Sequence, residues 1–515
     1  EAPEAEALLQ RIKKDPNASF YPEQELVLVT PGLTQLPADF QIAWRIEIYA
    51  DQPSFRKQLF VSAHDGAILE EVNLLCDQNT PGTAQTKYSG TRDIITDSIG
   101  VGMYRLVETT RGSGIETYNM ERRTDHSTAV DFFDTDNDWN NINAAKDEVA
   151  TDAHWGAEMT YDYFKQKHNH ASLDGNDMAL IGFVHYDQNW SNAQWTGEWA
   201  RYGDGNGSSW GPLTSLDVIA HEFAHGVTGF SAGLRYRNES GALNESFSDI
   251  FGTAVEYFAQ PEQFDWLIGE DFVLSGSPLR NMALPKKEDN PDTYKGEFWE
   301  SGAADNGGVH TNSGVQNKWF YLLSAGGSGR NDNDVDYNVT GFGLDTAGAI
   351  AFRNLQYYLS VLSTYADARE GSLQAAEDIY GPCSPAFFET ANAWYAVGVG
   401  KLLADNDFKS LAILEPQALS CGLTGAEPVS LRVRYNGCNA DLSAGAKIPV
   451  AYQIEDHPIV WDTLTLSAPL TAGDTVNFTF SIPPAELATP GTYHLRCWTA
   501  YGADLDGSNN ELRRV

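Results

Sequence analysis

Residues 215–230 read SLDVIAHEFAHGVTGF, and this segment decides how the middle of the chain is built. Leu216, Ile219, Ala220, Phe223 and Val227 recur at helical spacing, so an amphipathic helix with one buried stripe is expected, with Ser215 as its N-cap. His221 and His225 lie one turn apart on another face, where both imidazoles can reach one ion. Glu222 adjoins the first histidine and suits a base better than a third ligand. The ordinary alternative is two histidines on a solvated helix face.

A second helix is expected at 238–259, NESGALNESFSDIFGTAVEYFA, with Ile250, Phe251, Ala254, Val255 and Phe258 on its apolar side. Glu245 and Asp249 are i, i+4 and share a face. Glu245 can supply a third zinc ligand, and Asp249 can accept the spare ring N–H of a ligating histidine. Two exposed acids would be unremarkable alone; beside H-E-x-x-H they read as part of the site. His221, His225 and Glu245 leave a fourth position for water, whose pKa zinc lowers, and Glu222 can pass that water's proton to a leaving amine.

The chain has 515 residues, 42% hydrophobic and 20% charged, which is a globular composition with room for several domains. Its formal charge of −37 argues against nucleic acid and anionic membranes as partners. No apolar run reaches the length of a transmembrane helix. The start, EAPEAEALLQ, leads us to expect a processed or truncated product. The cysteines are Cys76, Cys383, Cys421, Cys438 and Cys497. Cys421–Cys438 is the expected disulfide, with Cys438–Cys497 as competitor, and an oxidising compartment is implied.

Three regions read differently. Residues 1–80 begin with a charged helical stretch and then alternate as strands, with a turn at Asp65-Gly66. The stretch CDQNTPGTAQTKYSG, from Cys76, is polar and linker-like, and cleavage between Cys76 and Lys87 is expected there. Residues 82–404 are strand-rich at first and helical from about 215. Residues 405–515 read as an all-β sandwich of short alternating runs.

The segment VIAHEFAHGVTGFSAGLRYRNESGALNESFSDIFGT resembles the signature of thermolysin-like neutral metalloendopeptidases. The resemblance runs from about Gly82 to Gly400 and includes SNAQW (191–195), YGDG (202–205), SPLRNM (277–282) and DNGGVHTNSGVQNKWFYLL (305–323), in the family's order. It implies a multidomain α+β chain: a β-rich and a helical peptidase lobe, preceded by a small α+β propeptide and followed by an immunoglobulin-like β-sandwich. It further implies one catalytic zinc on His221, His225 and Glu245, with Glu222 as base. Tyr236 and His310 then stabilise the oxyanion, and Asp305 orients His310. By the same resemblance Asn192 and the Ala193 backbone bind substrate main chain, and Arg280 grips a substrate carbonyl. Trp210, Leu213, Val218, Ile268, Phe272 and Leu279 map to the pocket for the residue after the scissile bond. At least one structural calcium is implied at Asp217, Glu256 and Asp265, with the Leu267 carbonyl and Glu270. DTDND (134–138) resembles a further calcium loop, or is a solvated acidic turn; the stretch before Arg280 lacks the usual aspartate, so no calcium is expected there.

The expected protein is a secreted, extracellular, monomeric zinc endopeptidase acting on proteins or peptides, with its own propeptide as inhibitor. The alternatives are a catalytically inactive metal-binding adhesion protein, disfavoured by Glu222, Tyr236, Asp305 and His310 together, and a zinc hydrolase of small molecules, disfavoured by Asn192, Ala193 and Arg280.

Overall fold

A computed structural model describes residues 24–29, 40–51, 54–73, 78–100, 102–140, 143, 146–403, 406–418, 421–437, 442–481, 485–489, 491–502 and 510–515. The charged stretch expected to be helical at the start lies outside them. The chain folds as two compact units, Glu1–Asp162 with Gly175–Ile219, and Tyr163–Asp174 with Ala220–Val515.

In the first unit, period-2 alternation produces an antiparallel meander of β1 (Gln24–Val29), β2 (Gln41–Asp51), β3 (Ser54–Ser62) and β4 (Ile68–Asn73). The expected turn closes β3 onto β4: Gly66 adopts φ +76° and donates to the Ser62 carbonyl at 3.0 Å, while Asp65 accepts from Ala67 N–H.

The linker expectation is overturned for its larger part. Gln78–Gln85 is a strand, β5, paired antiparallel along its length with β6 (Thr91–Gly100). Its polar, Pro/Gly-bearing composition is overridden by this ladder and by close packing: Ala84 is buried, and a Cβ on Gly82 would stand 2.5 Å from Asn137. The loop-like basis for cleavage is therefore lost over 78–85.

A mixed sheet follows, with β7 (Ile115–Asn119), β8 (Leu180–Val184), β9 (Ala193–Trp195) and β10 (Ala200–Tyr202) in the order β7-β8-β10-β9. β9 is its edge, with Ala193 opposite Tyr202. α1 (Asp147–His168) and the start of α2 (Leu216–Phe230) approach closely where Gly156 lacks a side chain; a Cβ there would lie 2.8 Å from Ile219. The predicted stripe of α2 is buried throughout.

The second unit is helical as expected up to residue 396: α3 (Asn238–Ala259), α4 (Asp305–Asn312), α5 (Gly314–Ala325), α6 (Leu344–Tyr357), α7 (Tyr365–Tyr380) and α8 (Pro385–Ala396). Thr364 and Asp367 form a capping box on α7, and Ser384 caps α8 ahead of Pro385. Buried Phe247, Phe251, Phe320, Trp319 and Trp394 anchor the helices, each contributing about 1.5–3 kcal/mol of burial.

The all-β expectation is met by two sheets. β11 (Phe408–Glu415), β12 (Ser430–Tyr435) and β15 (Thr475–Thr479) form one. β13 (Lys447–Ile454), β14 (Val460–Thr465), β16 (Leu495–Thr499) and β17 (Glu511–Arg514) form the other, in the order β14-β13-β16-β17. Leu431, Val433, Ile448, Val450 and Tyr452 fill the core between them.

A disulfide is present, but not in either expected pairing. Among the described residues, Cys421 and Cys497 are free thiols, so neither Cys421–Cys438 nor Cys438–Cys497 forms, and Cys383 is held in a disulfide. The reason is placement: Cys497 is enclosed in the sandwich core, while Cys421 is exposed. Cys76 and Cys438 lie outside the described residues. Alkylation of the native protein is expected to label Cys421, whereas Cys497 should react only after unfolding, because burial pushes its pKa up to about 12. Cys383 should react only after reduction; its labelling without a reductant, read by peptide mass mapping, would contradict this assignment.

Candidate metal centre

α2 and α3 bring together the residues that their periodicities place on facing sides. His221 Nε2 and His225 Nε2 are 3.1 Å apart. Glu245 meets both, with Oε2 3.5 Å from His221 and Oε1 3.5 Å from His225. Ligand atoms of these three residues all lie within 4.8 Å of one another, and theirs is the only such His/Cys/Asp/Glu group among the described residues. Glu222 is not part of it, although it is buried beside them and its charge acts on His225 and Tyr236.

Each ring is fixed from behind. His221 Nδ1 faces Asp249 Oδ1 at 2.9 Å, and His225 Nδ1 faces Asn244 Oδ1 at 2.7 Å. Asn244 in turn donates to the Leu234 carbonyl at 3.0 Å, which sets the direction of its amide. These partners turn the Nε2 atoms toward the shared space. They also push the rings in opposite directions. Burial disfavours charge on both. Asp249 and Glu245 outweigh it at His221, raising that ring to about 10, whereas His225 has an amide behind it and is lowered.

The donor set fits a divalent cation. Glu245 is almost wholly buried, yet its Oε2 accepts no hydrogen bond. A buried carboxylate oxygen without a donor, facing two imidazole nitrogens, matches the N₂O set of a zinc site with an open position.

Asp249 is an anion with several partners. Arg280 donates to it from Nε and Nη2, both at 2.6 Å, and Asn317 donates at 2.7 Å. Despite its burial, Arg280 and His221 hold the Asp249 carboxyl down at about 2. Arg280 is thus seated in a bidentate ion pair.

α4 supplies the opposite wall. Asp305, Asn306, Gly307 and Gly308 all have positive φ, which is why DNGG precedes the helical turn. This left-handed entry curls Asp305 back onto His310, accepting from its backbone N–H at 2.7 Å and meeting Nδ1 at 2.6 Å. His310 Nε2 then faces Tyr236 Oη at 3.1 Å, and the tyrosine hydroxyl also donates to Glu245. Burial and the Glu245 charge push the Tyr236 pKa up, so the hydroxyl keeps its proton. Gly241 makes this convergence possible: a Cβ there would lie 2.4 Å from Val309 and 3.0 Å from the Tyr236 backbone.

Two family models match this chain in succession: "Thermolysin metallopeptidase, catalytic domain" over residues 81–229 and "Thermolysin metallopeptidase, alpha-helical domain" over residues 232–399. The chain belongs to this thermolysin metallopeptidase family. Similar proteins include the thermostable neutral protease NprT of Geobacillus stearothermophilus, 41% identical over 358 residues, and a bacillolysin of Bacillus caldolyticus, 42% identical over 359. Each alignment covers 66% of this chain and 63% of the relative, so the chain spans less than two thirds of these proteins' length. Among solved structures, the precursor of protealysin, a metalloproteinase from Serratia proteamaculans, is 30% identical. That match covers 56% of this chain and 87% of the other at a TM-score of 0.47.

The remaining family positions are divided between the two units. In the first, Asn192 is exposed and its carbonyl accepts from Gly203 N–H, beside buried Ala193 on edge strand β9. Trp210, Leu213, Val218 and Asp217 also belong to this unit; Asp217 is buried and accepts from Val218 N–H at 2.8 Å. In the second, Ile268 pairs with Arg280, Leu279 N–H donates to the Ile268 carbonyl, and Ile268 and Phe272 are fully buried. Glu256 is buried on α3, Asp265 accepts from Leu267 N–H at 2.7 Å, and the Glu270 carbonyl accepts from Val273. At 134–138, Asp134 accepts from the backbone of Asp136 and Asn137, so the acidic segment is a tight Asx-type turn.

Two residues of the centre were missed in the sequence. Asn244 directly precedes Glu245, and the need of a ligating histidine for a partner on its second nitrogen could have pointed to it. Asn317 lies inside the NSGVQNKWF segment, with no local signal that it reaches Asp249.

Proposed function

We propose that the protein is a secreted zinc endopeptidase that cuts on the N-terminal side of bulky apolar residues. The observation that carries this reading is the buried His221–His225–Glu245 cluster, with an unsatisfied carboxylate oxygen and both rings oriented from behind. His221, His225 and Glu245 hold the metal, while Asp249 and Asn244 hold the rings. Bound zinc supplies Lewis acidity and makes water a nucleophile near neutral pH. Glu222 takes the proton of the attacking water and delivers it to the leaving amine. Tyr236 and His310 present donors to the developing oxyanion, and Asp305 accepts from His310 Nδ1–H, which fixes the ring with Nε2 toward the reacting groups.

Asn192 and Ala193 bind the substrate main chain; Ala193 begins edge strand β9 and Asn192 directly precedes it, a place that suits an extended peptide. Arg280, steadied by Asp249, grips a substrate carbonyl. By sequence resemblance, Trp210, Leu213, Val218, Ile268, Phe272 and Leu279 are assigned to the pocket for the residue after the scissile bond. An apolar pocket gains about 1.5–3 kcal/mol from a Leu, Ile, Val or Phe side chain and leaves a buried charge uncompensated. Residues 1–80 serve as propeptide, a reading that rests on sequence resemblance. Secretion is supported by the disulfide at Cys383.

The test is proteolysis of casein and of a mixed peptide library, with and without a zinc chelator. Chelator-sensitive cleavage before Leu, Phe, Ile or Val is expected, with charged residues there disfavoured by about tenfold or more in kcat/KM. Cleavage mainly before Asp, Lys or Arg would overturn the pocket; chelator-resistant cleavage would overturn the metal.

Calcium is proposed at Asp217, Glu256 and Asp265, with the Leu267 carbonyl and Glu270. The set rests on sequence resemblance; Asp217 and Glu256 are each buried, and a hard cation with oxygen ligands is what would neutralise such acids. Removing calcium is expected to lower the melting temperature before zinc is lost. Equal melting temperatures with calcium and with a calcium-selective chelator would refute the site.

A further inference from the structure

We propose that the C-terminal sandwich binds a neutral polysaccharide on the outer face of its four-stranded sheet. The inner face of that sheet is core: Ile448, Val450, Tyr452, Leu464 and Cys497 are buried. On the outer face, Ala451 of β13 stands opposite Trp461 of β14 on one side and Trp498 of β16 on the other. The two indoles flank this small residue edge to face, with centroids 5.9 Å apart and ring planes at 83°, and Ala451 is completely buried. Even so, Trp461 remains 54% exposed, the least economical place for the largest apolar side chain unless a ligand covers it.

Planar hydrogen-bonding groups surround the pair. Arg496 lies over the Trp498 ring at 4.9 Å and donates to Gln453 at 2.8 Å. Glu511, opposite Trp498, lies 3.6 Å from Arg496 and accepts from Arg513 at 2.8 Å. Two guanidiniums thus share one carboxylate, and donors and acceptors alternate beside apolar ring faces. Sugar rings present that chemistry in mirror image, with C–H faces to stack on an indole and hydroxyls around the rim that both donate and accept. A polyanion is disfavoured, because Arg496 and Arg513 are already shared with Glu511 on a chain of charge −37. The matched ligand is a β-linked polymer of neutral pyranoses with equatorial hydroxyls.

The experiment is depletion of the full chain from solution by microcrystalline cellulose and by chitin, with soluble alginate and single-stranded DNA as competitors. Retention on at least one neutral polymer is expected, unaffected by either competitor. Trp461→Ala should weaken it by about tenfold or more, as for loss of one stacking surface, without changing cleavage of casein. Arg513→Ala, on an 80% exposed side chain, should weaken it less and serves where the tryptophan variant folds poorly. No depletion by either polymer, equal retention of the wild type and both variants, or displacement by alginate or DNA would overturn the proposal.

Discussion

Glu222→Gln is expected to abolish measurable proteolysis while the protein keeps its stoichiometric zinc. Glu222 follows His221 on α2, so its side chain leaves the helix about 100° around from that ligand. Its carboxylate is outside the cluster whose ligand atoms lie within 4.8 Å of one another, yet it is buried beside it and its charge reaches His225 and Tyr236. A carboxylate in that place can exchange a proton with water and substrate without ligating the ion. Glutamine matches its shape and removes its basicity, and the loss of a positioned base costs about two to four orders of magnitude in kcat. Metal analysis beside kcat on casein makes the check. A variant that lost its zinc would turn Glu222 into a ligand, and one that kept near-normal kcat would leave the base unidentified.

Asp249→Ala is expected to cost about 3–5 kcal/mol of stability and to weaken metal binding with it. Asp249 is fully buried and answers three donors at once: the Arg280 guanidinium, the Asn317 amide and the His221 ring. Its removal leaves a buried arginine without a counter-charge and frees the His221 ring to rotate. Asp249→Asn retains shape and one acceptor and should lose less. Denaturant midpoints of the three proteins, with zinc titrated into each, separate the effects. A loss below about 1 kcal/mol for the alanine variant would mean that Arg280 recovers hydration and that the ion pair is not a structural anchor.

Much of the centre is a local property of the sequence. The periodicity of 215–230 dictates which residues of α2 are buried and leaves His221 and His225 one turn apart. The i, i+4 spacing of Glu245 and Asp249 similarly puts the candidate ligand and the partner of the His221 ring on one face of α3. These relations need only the 3.6-residue repeat, so no long-range contact can alter them. DNGG before His310 is of the same kind, since its run of positive φ suits a Gly-rich segment and returns Asp305 to a residue five positions on.

Other features depend on which surfaces meet, and only the tertiary structure decides those. Asn317 reaches Asp249 across 68 positions and Arg280 reaches it across 31, so no local window contains these hydrogen bonds. Asn244 was hidden for a subtler reason: its amide matters only because the packing of α2 on α3 aims it at His225. The polar stretch at 78–85 becomes a strand because β6 offers it a complete ladder, and a ladder is a property of two segments. The cysteines make the same point. Cys497 alternates like any inward strand residue and is sealed in the sandwich, while Cys383 in the helical unit is oxidised. Spacing along the chain sets helix faces; it does not bring two sulfurs within bonding distance, because that requires the folded backbone to close the loop between them.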